Sequence, residues 1–138
     1  MTRDLVVEEA KSWINTPYHH YAGVKGAGTD CAIILIKIFA NVGMIEDFMP
    51  PVYPLDWALH RGEEMYLGFV EKYAKKVDVP KAGDVALYTF GRCVSHAGLI
   101  IDKDTIIHAL MGVGVVYSGI EEGTLKGRLY GFYSLFED

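Results

Sequence analysis

The apolar residues of this chain change their period once, at Pro80. Before it they recur at helical spacing; after it they form short, Val-, Ile- and Tyr-rich runs. From 4 to 15, Leu5, Val6, Ala10, Trp13 and Ile14 outline one face of a helix, with Glu8, Glu9 and Lys11 outward. Thr16-Pro17 stops it, because a residue before proline is pushed out of the helical region. Residues 18–28 read as a loop rich in glycine and aromatics. Thr29-Asp30 offers an N-cap to a second helix over 31–42, which Gly43 ends. That helix is apolar nearly all round, the mark of a buried central element. Asp56 is a plausible cap for a third helix over 57–75, with Leu59, Tyr66, Phe69, Val70 and Tyr73 on its apolar side. Beyond Pro80, strands are expected over 84–90, 97–101, 105–110, 113–118 and 128–136, with a tight hairpin at Asp102-Lys103-Asp104. Helices first and strands second give an α+β domain.

Length permits one such domain over 1–138. Half of the residues are hydrophobic, which excludes disorder for the chain as a whole. Thirteen basic against eighteen acidic residues leave a net charge of −5, against a nucleic-acid binder that needs a basic face. Two cysteines are too few for a disulfide scaffold. The densest apolar run, Cys31 to Ile36, is cut by Lys37, well short of the roughly 20 residues of a membrane span. Nothing at the N-terminus resembles a secretory signal. The expectation is synthesis in the cytoplasm, with any outer target reached by another route.

Three residues can carry chemistry. Cys31 follows the capping pair at the start of the buried helix. A thiol there feels the positive end of the helix dipole, which favours the thiolate, and the helix N–H groups can hold an oxyanion. The alternative is a buried structural cysteine. His96, in Val94-Ser95-His96-Ala97-Gly98, opens a predicted strand and can take a thiol proton, or else is an exposed edge histidine. His108 lies on the next predicted strand; the distances of the two histidines from a hairpin turn at Lys103 differ by about two residues, and an even difference puts both on one face. It orients His96, or else is a satisfied core histidine. Together they form a nucleophile–base–orienter arrangement. Cys93 lies in a strand–strand loop with nothing to activate it. His19-His20 lacks further ligands for a metal. Lys25-Gly26-Ala27-Gly28-Thr29 has the wrong order for a phosphate loop. His60 reads as solvated, and Arg92 as a loop arginine that can alternatively meet a substrate carboxylate.

These residues resemble the NlpC family of cell-wall cysteine peptidases. Thr16-Pro17-Tyr18, a glycine-containing loop and Thr29-Asp30-Cys31-Ala32 are similar to its N-terminal signature. Pro80-Lys81-Ala82-Gly83-Asp84, Ser95-His96-Ala97-Gly98-Leu99 and Ile107-His108-Ala109 follow in the family's order. The middle segment (Pro50 to Tyr53, Asp56-Trp57, Glu63-Glu64) resembles the phage and gene-transfer-agent branch. The resemblance implies a papain-like α+β fold, with N-terminal helices packed on a C-terminal antiparallel sheet. It implies Cys31 as nucleophile, His96 as general base, His108 as orienter, and Tyr18 and Asp30 as substrate-binding residues. It implies no metal and no cofactor. The substrate would be a peptidoglycan stem peptide cut at a D-γ-glutamyl–diaminopimelate amide, and phage tail proteins would be the carriers. Ala32 and Ile33 stand where many members have Ser and Gly, which bears on the substrate and leaves the triad intact. The alternatives are a non-catalytic tail-assembly component and an acyltransferase using the same triad.

Overall fold

The computed structural model describes residues 2–51, 65–91 and 93–138, with the side chains of residues 65 and 66 left aside. The expected cap at Asp56, most of the third helix's first half, His60 and Arg92 lie outside the described residues. The elements run α1 (Arg3–Lys11), β1 (Gly23–Val24), β2 (Gly28–Thr29), α2 (Ile33–Asn41), α3 (Met65–Tyr73), β3 (Lys75–Val77), β4 (Val85–Phe90), β5 (Cys93–Ile100), β6 (Thr105–Leu110), β7 (Gly114–Gly119) and β8 (Leu129–Ser134). A single 3₁₀ turn, Gly123–Leu125, precedes β8. Six strands form one antiparallel sheet in the order β3-β8-β4-β5-β6-β7, and β1 and β2 form a separate hairpin. This is the expected α+β architecture, helices before sheet.

The first helix starts where Thr2 accepts a hydrogen bond from the N–H of Leu5, with Asp4 and Lys11 placed to suit the dipole. It is shorter than its apolar pattern suggests. After Lys11 the chain tightens into turns, and Asn15 takes a left-handed conformation (φ 73°). The N–H of Asn15 then donates to Val115 O, and the N–H of Val115 donates to Thr16 O. Pairing with β7 therefore claims the residues that the pattern would extend as helix. Leu5, on the expected apolar face, is exposed, while Val7 is buried in its stead. Glu9, expected outward, accepts from Trp13 Nε1 and Asn41 Nδ2, both at 2.9 Å, and pairs with Lys25 at 3.0 Å. One carboxylate thus ties α1, α2 and the β1–β2 hairpin together. Gly43 closes α2 as expected. At φ 82° it donates to Ala40 O while Met44 donates to Phe39 O, the paired bonds of a Schellman end.

The sheet is buried on both faces. Trp13, Ile34, Ile38, Leu87, Leu99, Ile107 and Val115 pack between the helices and one face. Ala86, Tyr88, Ile100, Ile106 and Leu125 form a second core on the other face. The segment after β7 folds over that second face, held by the Tyr88 hydroxyl donating to Ile120 O at 2.7 Å. Double burial explains why the strand runs are nearly continuous in apolar residues, with little alternation. The edge strand β3 lies in the tail of the expected third helix. It carries exposed Lys75 and Lys76, charges that discourage edge-to-edge pairing.

Candidate active site

Both histidines lie on the second face of the sheet. His96 stands directly opposite Tyr88 across β4–β5, and its ring contacts those of Tyr88 (5.9 Å) and Phe90 (5.5 Å). His96 lies inside β5 and does not open it. The reason is a bulge: Tyr88 faces His96 but Thr89 faces Val94, so Ser95 is an extra residue that breaks the period of two. β5 and β6 pair at Leu99–Ile107 and Ile100–Ile106. Gly98 makes the close approach possible, since a Cβ there would stand 2.5 Å from Ile106 Cδ1. Beyond those pairs, His96 Nε2 and His108 Nδ1 meet at 2.8 Å, rings 5.0 Å apart and nearly perpendicular. His96 is 7% and His108 2% exposed. Burial, then the neighbouring imidazole, pushes His96 down to about 3. Burial pushes His108 down to about 4, with Glu122 opposing. Both imidazoles are neutral at physiological pH.

The cysteine is held by the loop before α2. Asp30 is 1% exposed, and its Oδ1 accepts from the N–H groups of Ala32 (3.1 Å) and Ile33 (2.9 Å). Its Oδ2 accepts from the N–H of Tyr21 (2.9 Å). Asp30 is thus the working cap, as its position predicts. Tyr21 reaches this bond from a left-handed conformation (φ 54°), and its hydroxyl donates to Pro50 O. Tyr18 is bridged to Thr29, and its hydroxyl hydrogen-bonds the Cys31 sulfur. Burial, then the charges of Cys31 and Asp30, pushes that phenol well up, which keeps it a donor. The Cys31 Sγ donates to the carbonyl of Ser95 at 3.4 Å. The sulfur therefore lies against the peptide that carries His96.

Two expectations about Cys31 are corrected. A lowered thiol pKa was expected from the helix start, yet burial, and then the Asp30 carboxylate, pushes the thiol up to about 12. The residue is partly exposed, but its sulfur is densely enclosed. The helix dipole loses to desolvation plus an adjacent negative charge. The helix-start N–H groups were expected to hold an oxyanion; two of them, those of Ala32 and Ile33, donate to Asp30 instead. Cys93, expected in a strand–strand loop, is instead the first residue of β5 and is 1% exposed. His19 is exposed in the loop, and no group of three or more potential metal ligands occurs among the described residues.

The geometry sets a thiol at the head of a helix against the strand peptide that carries one member of a buried imidazole pair. A model of the NlpC/P60 family matches residues 15–134, a span that includes all of these groups. The chain belongs to the NlpC/P60 family. Members of the NlpC/P60 family are typically peptidoglycan hydrolases. Solved NlpC/P60 structures share the fold. The NlpC/p60 domain of the peptidoglycan hydrolase SagA superposes with a TM-score of 0.65 at 17% identity, over 96% of this chain and 97% of that one. A lipoprotein-like NLP/P60 protein from Staphylococcus aureus gives 0.67 at 15% identity, over 99% of this chain and 42% of that one. An NlpC/P60 protein from Bacillus cereus gives 0.66 at 19% identity, over 96% and 39%. This chain therefore spans about two fifths of the length of the last two. No curated protein matches it. Among the described residues no helix is long and apolar enough to cross a membrane.

Proposed function

We propose that this NlpC/P60 domain is a cysteine peptidase that hydrolyses an amide in peptidoglycan stem peptides, at a D-γ-glutamyl–diaminopimelate type of bond. The observation that carries the reading is the Cys31 sulfur at 3.4 Å from the Ser95 carbonyl, next to a His96 already bonded to His108 at 2.8 Å. Cys31 is the nucleophile, His96 the general base and His108 the residue that fixes the base's tautomer. With His96 Nε2–H donating to His108 Nδ1, the other nitrogen of His96, Nδ1, is bare and can take the thiol proton. His108 then carries its own hydrogen on Nε2, a buried nitrogen with no hydrogen-bond partner among the described residues. Leaving such a group unpaired costs about 1–3 kcal/mol, consistent with a tautomer held for chemistry more than for stability.

The reaction begins from a neutral thiol and a neutral imidazole. The Sγ leaves the Ser95 carbonyl, transfers its proton to His96 and attacks the amide carbon. The C–N bond breaks as His96 returns the proton to the amine; water, deprotonated by His96, then attacks the thioester, and the C–S bond breaks to release the acid as Sγ regains the proton from His96. Tyr18, already a donor to the sulfur, is suited to the developing oxyanion. Asp30 supplies a buried negative charge that a free substrate amine would meet, in addition to its capping bonds. Carriage by a phage tail is part of the proposal and rests on the likeness of the 50–64 segment to that branch. A second reading is a tail-assembly component that keeps the fold without turnover, which the burial of the Cys31 sulfur beside the Asp30 carboxylate would suit.

The test is turnover of an L-Ala-γ-D-Glu-diaminopimelate peptide followed by mass spectrometry. Cys31→Ala should abolish it, and His96→Gln should reduce kcat by about 10²–10⁴-fold. Cleavage by Cys31→Ala at the wild-type rate would sink the hydrolase reading.

A further inference from the structure

Of the two arginines among the described residues, Arg3 and Arg128, only the first is taken by carboxylates. Arg3 bonds Asp84 at 2.8 Å and Asp138 at 2.6 Å. Arg128 is exposed and forms no ion pair among the described residues. It is nevertheless fixed. Its backbone carbonyl accepts from the N–H of Thr89 at 2.8 Å, and its Nη1 donates to Thr89 O at 3.5 Å. Its guanidinium lies over the Phe90 ring, 4.4 Å from the centroid. Phe90 in turn stands edge-on to His96 at 5.5 Å. The guanidinium is therefore within about 10 Å of the base imidazole, on the same face of the sheet. Stacking on an aromatic face holds the plane of the fork while leaving N–H edges open, the arrangement that suits bidentate binding of a carboxylate.

We propose that Arg128 determines specificity by binding a free carboxylate on the acyl side of the scissile amide. The proposal rests on the hydrolase reading above and names what its site selects. In a γ-linked glutamyl residue the α-carboxylate lies only a few bonds from the scissile carbonyl, within reach of a guanidinium set one side chain away from the base. The site would then accept stem peptides with a free D-glutamate and reject those in which that carboxylate is an amide.

Paired peptides test this: L-Ala-γ-D-Glu-diaminopimelate and its α-carboxamide counterpart, D-isoglutamine in place of D-glutamate. Wild type should favour the acid. Arg128→Gln should lower kcat/KM for the acid by about ten- to a hundredfold, mainly through KM, and leave the carboxamide unchanged. Arg128→Lys should recover part of the loss. An equal loss on both peptides would mean that Arg128 only supports Phe90, and would overturn the proposal; so would no loss on either. To separate this from failure of the hydrolase reading, binding of the same peptides is measured by calorimetry in Cys31→Ala, with and without Arg128→Gln. A preference for the acid that disappears with Arg128→Gln supports the assignment even without turnover. Equal affinity for both peptides, or binding of neither, removes it.

Discussion

The two halves of the candidate site are built by different means. His96 and His108 are positioned by the sheet, where strand register, a bulge at Ser95 and the missing side chain of Gly98 decide which rings meet. Cys31 is positioned by a loop, where one buried carboxylate gathers three backbone N–H groups and so fixes the turn into α2. The sheet places neutral groups in an apolar setting and keeps them neutral. The loop uses a charge, and that charge reaches the thiol beside it. Asp30 both holds Cys31 in place and disfavours its ionised form. Rigid placement and an activated nucleophile therefore pull against each other on the cysteine side and not on the histidine side.

The largest expected effect is on the histidine half. Both imidazoles are pushed down from an ordinary value of 6.5, to about 3 and about 4. Between those values and 6.5 the unfolded chain binds protons that the folded chain refuses. Stability is then complete above about pH 6.5 and is lost as pH falls toward 3–4. Urea unfolding at pH 7, 5.5 and 4.5 should show this decline. His96→Gln/His108→Gln should flatten it, whatever its effect at pH 7. An equally steep decline in the double variant would mean that carboxylates such as Glu9, and not the imidazole pair, govern acid stability.

On the cysteine half, Asp30→Ala should cost about 2–4 kcal/mol, because it removes a cap and orphans buried amides. The milder Asp30→Asn keeps an acceptor for Ala32 and Ile33, removes the charge, and gives up only the bond that Oδ2 accepts from Tyr21. It should shift alkylation of Cys31 to lower pH while α2 stays folded by circular dichroism. An unshifted alkylation profile would leave burial alone as the cause of the raised thiol. Cys93 cannot serve as a freely reactive reference in that experiment, being nearly inaccessible in the folded chain.

This difference also governs what could be read from the sequence. The period change at Pro80 disclosed helices before sheet, and the even difference between the distances of His96 and His108 from the hairpin turn put both on one face, as the structure has them. Asp30 was legible as a cap because its side-chain type and its position before an apolar run suffice. The state of the thiol was not legible. Helix-start logic sees the dipole, whereas the outcome turned on desolvation and on where the Asp30 carboxylate points, both products of tertiary packing. The early end of α1 was hidden likewise, since only β7, a hundred residues on, accounts for Asn15 and Thr16. The bulge at Ser95 left no signal beyond a broken alternation. Arg128 carried none at all, because its meaning comes from Phe90, which reaches it only through the pairing of β4 with β8.

The smallest effect tests whether the histidine side is as rigid as its register suggests. A Cβ at Gly98 would lie 2.5 Å from Ile106 Cδ1, with further Ile106 atoms at 3.1 and 3.2 Å. Gly98→Ala should therefore cost about 1–3 kcal/mol by overpacking, read as a lower urea midpoint at unchanged slope. Ile106→Val deletes the nearest atom and by itself should cost about 0.5–1.5 kcal/mol. Combined, the two should cost less than their sum, since the methyl introduced in place of the glycine hydrogen fills space that Cδ1 vacates. Strict additivity would mean that β5 and β6 shift apart to accept the methyl. In that case the 2.8 Å contact between His96 and His108, which depends on the same two strands, would open with them, and activity would fall with the spacing even where stability recovers.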